Sequence, residues 1–92
     1  MLEALSDDEI AIHLLSRPGW NRDGDAIVRV YEHTDFTGSI AFVNVVAAAA
    51  NALNHHPDII ISWNKVTIRS SSHDAGGITA RDFALAETLD AH

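Results

Sequence analysis

Residues 58–71 read Asp-Ile-Ile-Ile-Ser-Trp-Asn-Lys-Val-Thr-Ile-Arg-Ser-Ser. They form two β-rich runs, 59–63 and 66–71, separated by the short polar pair Asn64-Lys65. A two-residue connection suits a hairpin, and strand alternation then puts Val66, Ile68 and Ser70 on one face and Thr67, Arg69 and Ser71 on the other. The remaining elements are read outward from this hairpin.

Immediately upstream, Pro57 disfavours helical geometry at His56, so any preceding helix must end near 54–56. That helix is predicted by Phe36, Ile40, Val43, Ala47 and Ala50, which recur at spacings of three and four, with Thr34 or Asp35 as its cap. Its run Ala47 to Ala50 has side chains small enough to lie close against a sheet. Farther upstream, Asp23-Gly24 is a hairpin-type turn leading into a strand over 26–33, with Ala26, Val28 and Val30 on one face. Ser6 and Glu9 have the spacing of a capping box that opens a first helix over 7–16. Ile10, Leu14 and Leu15 form its apolar stripe, and Pro18-Gly19 stops it. Downstream of the hairpin, Ala75-Gly76-Gly77 is a loop. Thr79 with Asp82 has the form of a second capping box, and Phe83, Ala86 and Leu89 mark the buried side of a last helix. The order α-β-β-α-β-β-α makes residues 1–92 one α+β domain, an antiparallel sheet with helices on one face.

Composition narrows the function. The hydrophobic share is 47% and the charged share 21%, values of a globular chain rather than a disordered one. Six Lys plus Arg against thirteen Asp plus Glu leave a net charge of −7, with no basic cluster. Nucleic acid and anionic membranes are therefore excluded as partners, since both require a basic footprint. The longest apolar stretch, residues 40–53, is interrupted by Asn44 and Asn51, and its fourteen residues fall short of the roughly 20 that span a bilayer. The first residues lack the basic and apolar regions of a signal peptide. With no cysteine there is no disulfide framework, thiolate metal site or cysteine nucleophile. The expectation is a soluble, cytoplasmic protein.

Six histidines are the candidates for chemistry, because neutral imidazole can both give and take a proton near neutral pH. His13, His33 and His92 read as surface residues. His55 and His56 stand where the central helix is broken, projecting to different sides of one small space about 100° apart. The helix C-terminus favours their protonated forms. His73 follows the second hairpin strand in Ser71-Ser72-His73-Asp74, ahead of a loop with two glycines. If the central helix crosses the hairpin, its end and the strand end meet and gather three histidines. The competing readings are surface histidines serving as helix caps, and a zinc site. Adjacent histidines seldom reach one metal, and HExxH, GxGxxG, P-loop and GxSxG motifs are all absent.

Three spaced blocks carry a family resemblance: Asn54-His55-His56-Pro57-Asp58; Trp63-Asn64-Lys65-Val66; and Ser72-His73-Asp74-Ala75-Gly76-Gly77-Ile78-Thr79 with Arg81-Asp82. In order and spacing they resemble the pterin-4a-carbinolamine dehydratases, and Trp20 matches a tryptophan near that family's first strand. The resemblance implies a four-stranded antiparallel sheet with helices on one side, assembled into homodimers or homotetramers. It implies dehydration of 4a-hydroxytetrahydropterin to quinonoid dihydropterin, which recycles the cofactor of aromatic amino acid hydroxylases, with neither a metal nor an organic cofactor. His55, His56 and His73 match the family's active-site histidines. Asn54, Ser71, Ser72 and Asp74 match segments lining the pterin pocket. Asp82 matches an acidic position near the site and equally reads as a helix cap; Trp20 would stack on the pterin or serve the core. One departure stands out: the family often has an acidic residue four positions before the first histidine, and here that position is Asn51, one helical turn from His55. Some family members also act as dimerisation partners of transcription regulators, so a non-catalytic binding module is the alternative.

Overall fold

The computed structural model describes residues 3–92. The hairpin lies one residue earlier than its polar pair suggests: β3 (Asp58–Ser62) and β4 (Lys65–Ser70) are joined through Trp63 and Asn64. Trp63 takes the left-handed backbone conformation (φ 50°) that a two-residue hairpin turn demands, so Lys65 pairs with Ser62 as the first rung. Upstream, β1 (Asn21–Asp23) and β2 (Ala26–Glu32) form the second hairpin around Gly24 (φ 61°). The two hairpins join through β2 and β4 into one antiparallel sheet of order β1-β2-β4-β3.

Helices α1 (Asp7–Leu15), α2 (Phe36–Leu53) and α3 (Ala80–Asp90) complete the predicted order. The Ser6–Glu9 capping box is formed in both directions, and α1 ends before Pro18-Gly19 as expected. Of its expected stripe only Ile10 is fully buried, while Leu15 is exposed. In α3 the expected Phe83, Ala86 and Leu89 are buried, joined by Leu85.

Two faces differ from the sequence reading. In β2 the core side carries Ile27 and Tyr31, which pair across to Ser70 and Val66 on the core side of β4. Of the expected set Ala26, Val28 and Val30, only Ala26 is buried and Val30 is 53% exposed. The strand is apolar on both sides, and the core side includes Arg29, whose guanidinium lies over the Tyr31 ring, its carbon 4.6 Å from the ring centroid, and also donates to the Asp90 carboxylate. In α2 the buried residues are Ser39, Phe42, Val46, Ala49 and Ala50. The stripe of Phe36 and Ile40 turns outward, at 52% and 37% exposure, with Val43 half-buried and Ala47 exposed. A helix apolar nearly all round has no periodicity that selects a face, so packing chooses.

The same apolarity corrects the expectation on length. With 18 residues and a mean hydropathy of 1.6, α2 is long and apolar enough to cross a membrane. Its inner face, with Ser39, Phe42, Val46, Ala49 and Ala50 buried, packs on β4 and α3.

Candidate active site

Helix α2 ends by a device that aims the next side chain inward. Asn54 adopts the left-handed conformation (φ 50°, ψ 43°), its N–H donates to the Asn51 carbonyl at 3.2 Å, and the His55 N–H donates to the Ala50 carbonyl at 3.0 Å. This is a Schellman closure with asparagine where glycine is commonest. It leaves His55 7% exposed, its Nε2 2.6 Å from Asp82 Oδ1.

Asp82 is completely buried, and three further donors converge on it. The Ser70 hydroxyl donates to Oδ1 at 2.6 Å; the Ser72 hydroxyl and the Thr79 N–H each donate to Oδ2 at 2.9 Å. Burial of a carboxylate is tolerated only with such pairing. The end of β4, the start of α3 and the end of α2 are thus tied together at one side chain. The two readings of Asp82, helix cap and site residue, describe the same atom set: Oδ2 caps α3 while Oδ1 meets His55.

His73 opens a short 3-10 turn, His73–Ala75, one residue beyond Ser72. The turn is clamped by the paired Ser72 and Gly77, and Gly76 closes it at φ 73°, a conformation a side chain would strain. His73 itself is exposed. Beside it Asp74 accepts from Arg81 Nη2 at 2.6 Å, which holds its carboxyl below the usual carboxylate range. Ser71 is buried, with its hydroxyl unpaired.

His56 is exposed, and its Nε2 lies 3.0 Å from Asn51 Oδ1. Asn51 therefore faces His56 rather than His55: the left-handed turn at Asn54 breaks the helical register that would have set Asn51 beside His55. Trp20 is placed in the core, 4% exposed, with its indole N–H on Asp90 at 3.0 Å and an edge contact to Tyr31; no face is free for stacking on a ligand. The structure thus joins His55, Ser72 and Asp82 directly, places Ser71, His73 and Asp74 on the adjoining turn, and pairs His56 with Asn51. Among the described residues no cluster of His, Cys, Asp or Glu could hold a metal ion.

A cleft of about 280 Å³ lies between α1 and α3, lined by His13, Arg17, Phe83 and Glu87 among others, and contains none of these residues. His13 stacks on Phe83 there at 4.6 Å, which accounts for that histidine as packing. Two parts of the polar framework escaped the sequence reading. Ser70 had a visible signal, a hydroxyl on the core-facing side of a strand, which must find a partner. Asp90 had none: it gathers Arg17, Trp20, Arg29 and Tyr31 from positions 59 to 73 residues away.

The comparisons agree with this architecture. The family model described as pterin 4 alpha carbinolamine dehydratase matches residues 3–92. A protein of Thermosynechococcus vestitus, provisionally named a pterin-4-alpha-carbinolamine dehydratase, is 45% identical over 89 residues, covering 97% of this chain and 94% of that protein. The crystal structure of a Brucella melitensis protein described as a transcriptional coactivator/pterin dehydratase superposes with a TM-score of 0.93 at 27% identity, covering 97% of both chains. The fold also recurs, at 19% identity and a TM-score of 0.63 over 78% of this chain and 83% of the other, in a pterin dehydratase-like protein identified as a RuBisCO assembly factor of the alpha-carboxysome. On a match that spans the described chain and relatives at this identity, the protein belongs to the pterin-4-alpha-carbinolamine dehydratase family.

Proposed function

We propose that the protein dehydrates 4a-hydroxytetrahydropterin to quinonoid dihydropterin, with His55, His56 and His73 supplying proton transfer and substrate contacts. The observation that carries this reading is the buried His55–Asp82 pair next to the clamped turn bearing His73. One imidazole is rigidly oriented and the other is free to meet a ligand. Loss of water requires a proton on the 4a-oxygen as the C4a–O bond breaks and removal of the N5 proton as the C4a=N5 bond forms. One proton enters and one leaves, so an acid and a base of similar strength suffice, and imidazole serves as either. Asn54, Ser71, Ser72 and Asp74 would border the pterin, and the product would feed the recycling of a hydroxylase cofactor in the cytoplasm.

The test is the decay of freshly generated 4a-hydroxytetrahydropterin with and without protein. Acceleration that persists with a chelator is expected, and no acceleration over buffer at micromolar protein overturns the reading. His73→Ala is the clean variant, since the side chain is exposed: turnover should fall about 10²-fold or more with stability within about 0.5 kcal/mol. His13→Ala should leave turnover unchanged. His55→Ala would also disturb the Asp82 cluster, so its loss of activity is less specific.

The same chain is proposed to work as a homodimer or homotetramer. The outward stripe of α2, Phe36, Ile40 and Ala47, is an apolar helix face of a small domain, and an identical stripe on a second copy is its self-complementary cover. A second reading, a binding module without catalysis, rests on that same stripe and on Asn51 in place of an acidic residue. Stoichiometric capture of a partner by a protein silent in the dehydration assay would favour it.

A further inference from the structure

The hydrogen bonds around Asp82 determine more than position. An ionised carboxylate offers about four acceptor sites, and four groups approach this one: Ser70 Oγ and His55 Nε2 on Oδ1, Ser72 Oγ and the Thr79 N–H on Oδ2. The backbone N–H can only donate. Thr79 Oγ1 accepts from the Arg81 N–H at 3.2 Å and gives its own proton to Ser72 Oγ at 2.8 Å, which frees the Ser72 proton for Asp82. An ionised carboxylate has no hydrogen to give, and the Ser70 hydroxyl, 3.4 Å from His55 Nε2, has its own proton on Oδ1, so His55 Nε2, 2.6 Å from Oδ1, must carry the hydrogen between them.

We propose that Asp82, caged by Ser70, Ser72 and the Thr79 N–H, is a positioning residue that locks His55 in the Nε2–H tautomer and leaves Nδ1 as its proton-exchanging atom. Neutral His55 then presents a lone pair at Nδ1 and acts as a base; as imidazolium it presents Nδ1–H and acts as an acid, with Nε2 anchored in either state. The part that concerns catalysis rests on the function proposed above. The tautomer does not, because it follows from the network alone.

The cage also specifies what a conservative change does. In Asp82→Asn the Thr79 N–H still requires an oxygen opposite it, so the amide carbonyl takes the Oδ2 place and the NH₂ takes the Oδ1 place. There its two hydrogens face Ser70 Oγ, which can rotate to accept, and His55 Nε2, which can accept only by giving up its hydrogen. The substitution keeps an oxygen for the Thr79 N–H and the Ser72 hydroxyl, takes away the oxygen that accepted the Ser70 proton, and reverses the tautomer. Fixing an imidazole in the wrong tautomer is known to disable general-base catalysis while leaving geometry intact.

The experiment is ¹⁵N NMR of the histidine rings in the full, ligand-free chain, followed up the pH range until the His55 ring is neutral. The wild type should show Nε2 protonated and Nδ1 unprotonated. Asp82→Asn should show the reverse, and Ser70→Ala, which removes one donor and keeps the carboxylate, should retain the wild-type pattern. Turnover of Asp82→Asn should fall about 10²-fold or more, with Ser70→Ala losing far less. A wild-type spectrum with Nδ1 protonated overturns the proposal without any variant, and so does a folded Asp82→Asn that keeps the wild-type tautomer or full turnover. Because the spectra need no substrate, failure of the dehydratase reading and failure of this one are separate results.

Discussion

Replacing Asp90 by alanine should be the most destabilising single polar-to-alanine change outside the candidate site. Asp90 is the last residue of α3, where the helix dipole disfavours a negative charge by about 0.3–1 kcal/mol, so its placement is explained by what it accepts. It takes the indole N–H of buried Trp20 at 3.0 Å, the Tyr31 hydroxyl at 2.6 Å, and the guanidiniums of Arg29 and Arg17 at 2.9 and 3.3 Å. Trp20 would be left with a buried donor and no acceptor, a loss of about 1–3 kcal/mol. Tyr31 would lose a charge-assisted bond worth about 1.5 kcal/mol, partly recovered from water. The arginines, at 28% and 31% side-chain exposure, would rehydrate at about 0–1 kcal/mol each. Allowing for the dipole, the sum is about 3 kcal/mol, a large fraction of the roughly 5–15 kcal/mol that holds a domain folded. Urea unfolding at fixed protomer concentration should show a lower midpoint with an unchanged slope. A loss under about 1 kcal/mol would refute the reasoning. The cluster also makes a pH prediction with a definite sign. Burial, and then the hydrogen bond to Asp90, raise the Tyr31 phenol above its ordinary value. The neutral phenol is therefore favoured in the fold, its contribution is complete below about pH 10, and stability falls as pH rises beyond that, because the unfolded chain loses the proton first. Tyr31 is the sole tyrosine, so tyrosinate absorbance reports it alone, and Asp90→Ala should bring its titration to lower pH.

Ile40→Asp, on the outward stripe of α2, should shift light scattering from an oligomer to the monomer mass while leaving far-UV circular dichroism unchanged. A wild type that is monomeric across micromolar concentrations would remove the basis for that expectation. Asn51→Glu should raise the pKa of His56, its hydrogen-bond partner at 3.0 Å, because a carboxylate favours the imidazolium; the charged form then persists to higher pH. Superimposable NMR titrations of His56 in wild type and variant would show that the position does not tune it.

What the sequence disclosed was decided by range. Capping boxes, the Pro57 break and the two hairpins depend on residues within a few positions of one another, and each stands where the spacing puts it, with the Trp63-Asn64 turn displaced by one residue. The choice of face was not legible in β2 or α2, because both are apolar on more than one side and a periodicity without contrast cannot point. Val30 and Ile40, each grouped by the pattern with apolar neighbours, therefore lie outward. The spacing that put Asn51 beside His55 failed for a related reason: it assumed that helical geometry continued through Asn54, and one left-handed residue redirects everything after it.

Asp82 shows where local and long-range information meet. The sequence exposes half of its role, since Thr79 and Asp82 stand three apart and a carboxylate there caps α3. The other half spans 12 residues to Ser70 and 27 to His55, and only the folded chain brings those groups to the second oxygen. A cap alone would be satisfied at the surface, where Asp82 would need no hydroxyl donors. Its complete burial with two serine hydroxyls means that the cap has been drawn into the wall beneath His55. The helix start and the histidine therefore share one carboxylate, and a substitution there is read both by the stability of α3 and by the tautomer of the imidazole. Comparing Asp82→Asn with Asp82→Ala separates the two. The asparagine keeps an oxygen for the Thr79 N–H and should retain most of the cap, worth about 1 kcal/mol, while reversing the ring; the alanine should lose the cap and leave the ring without an anchor.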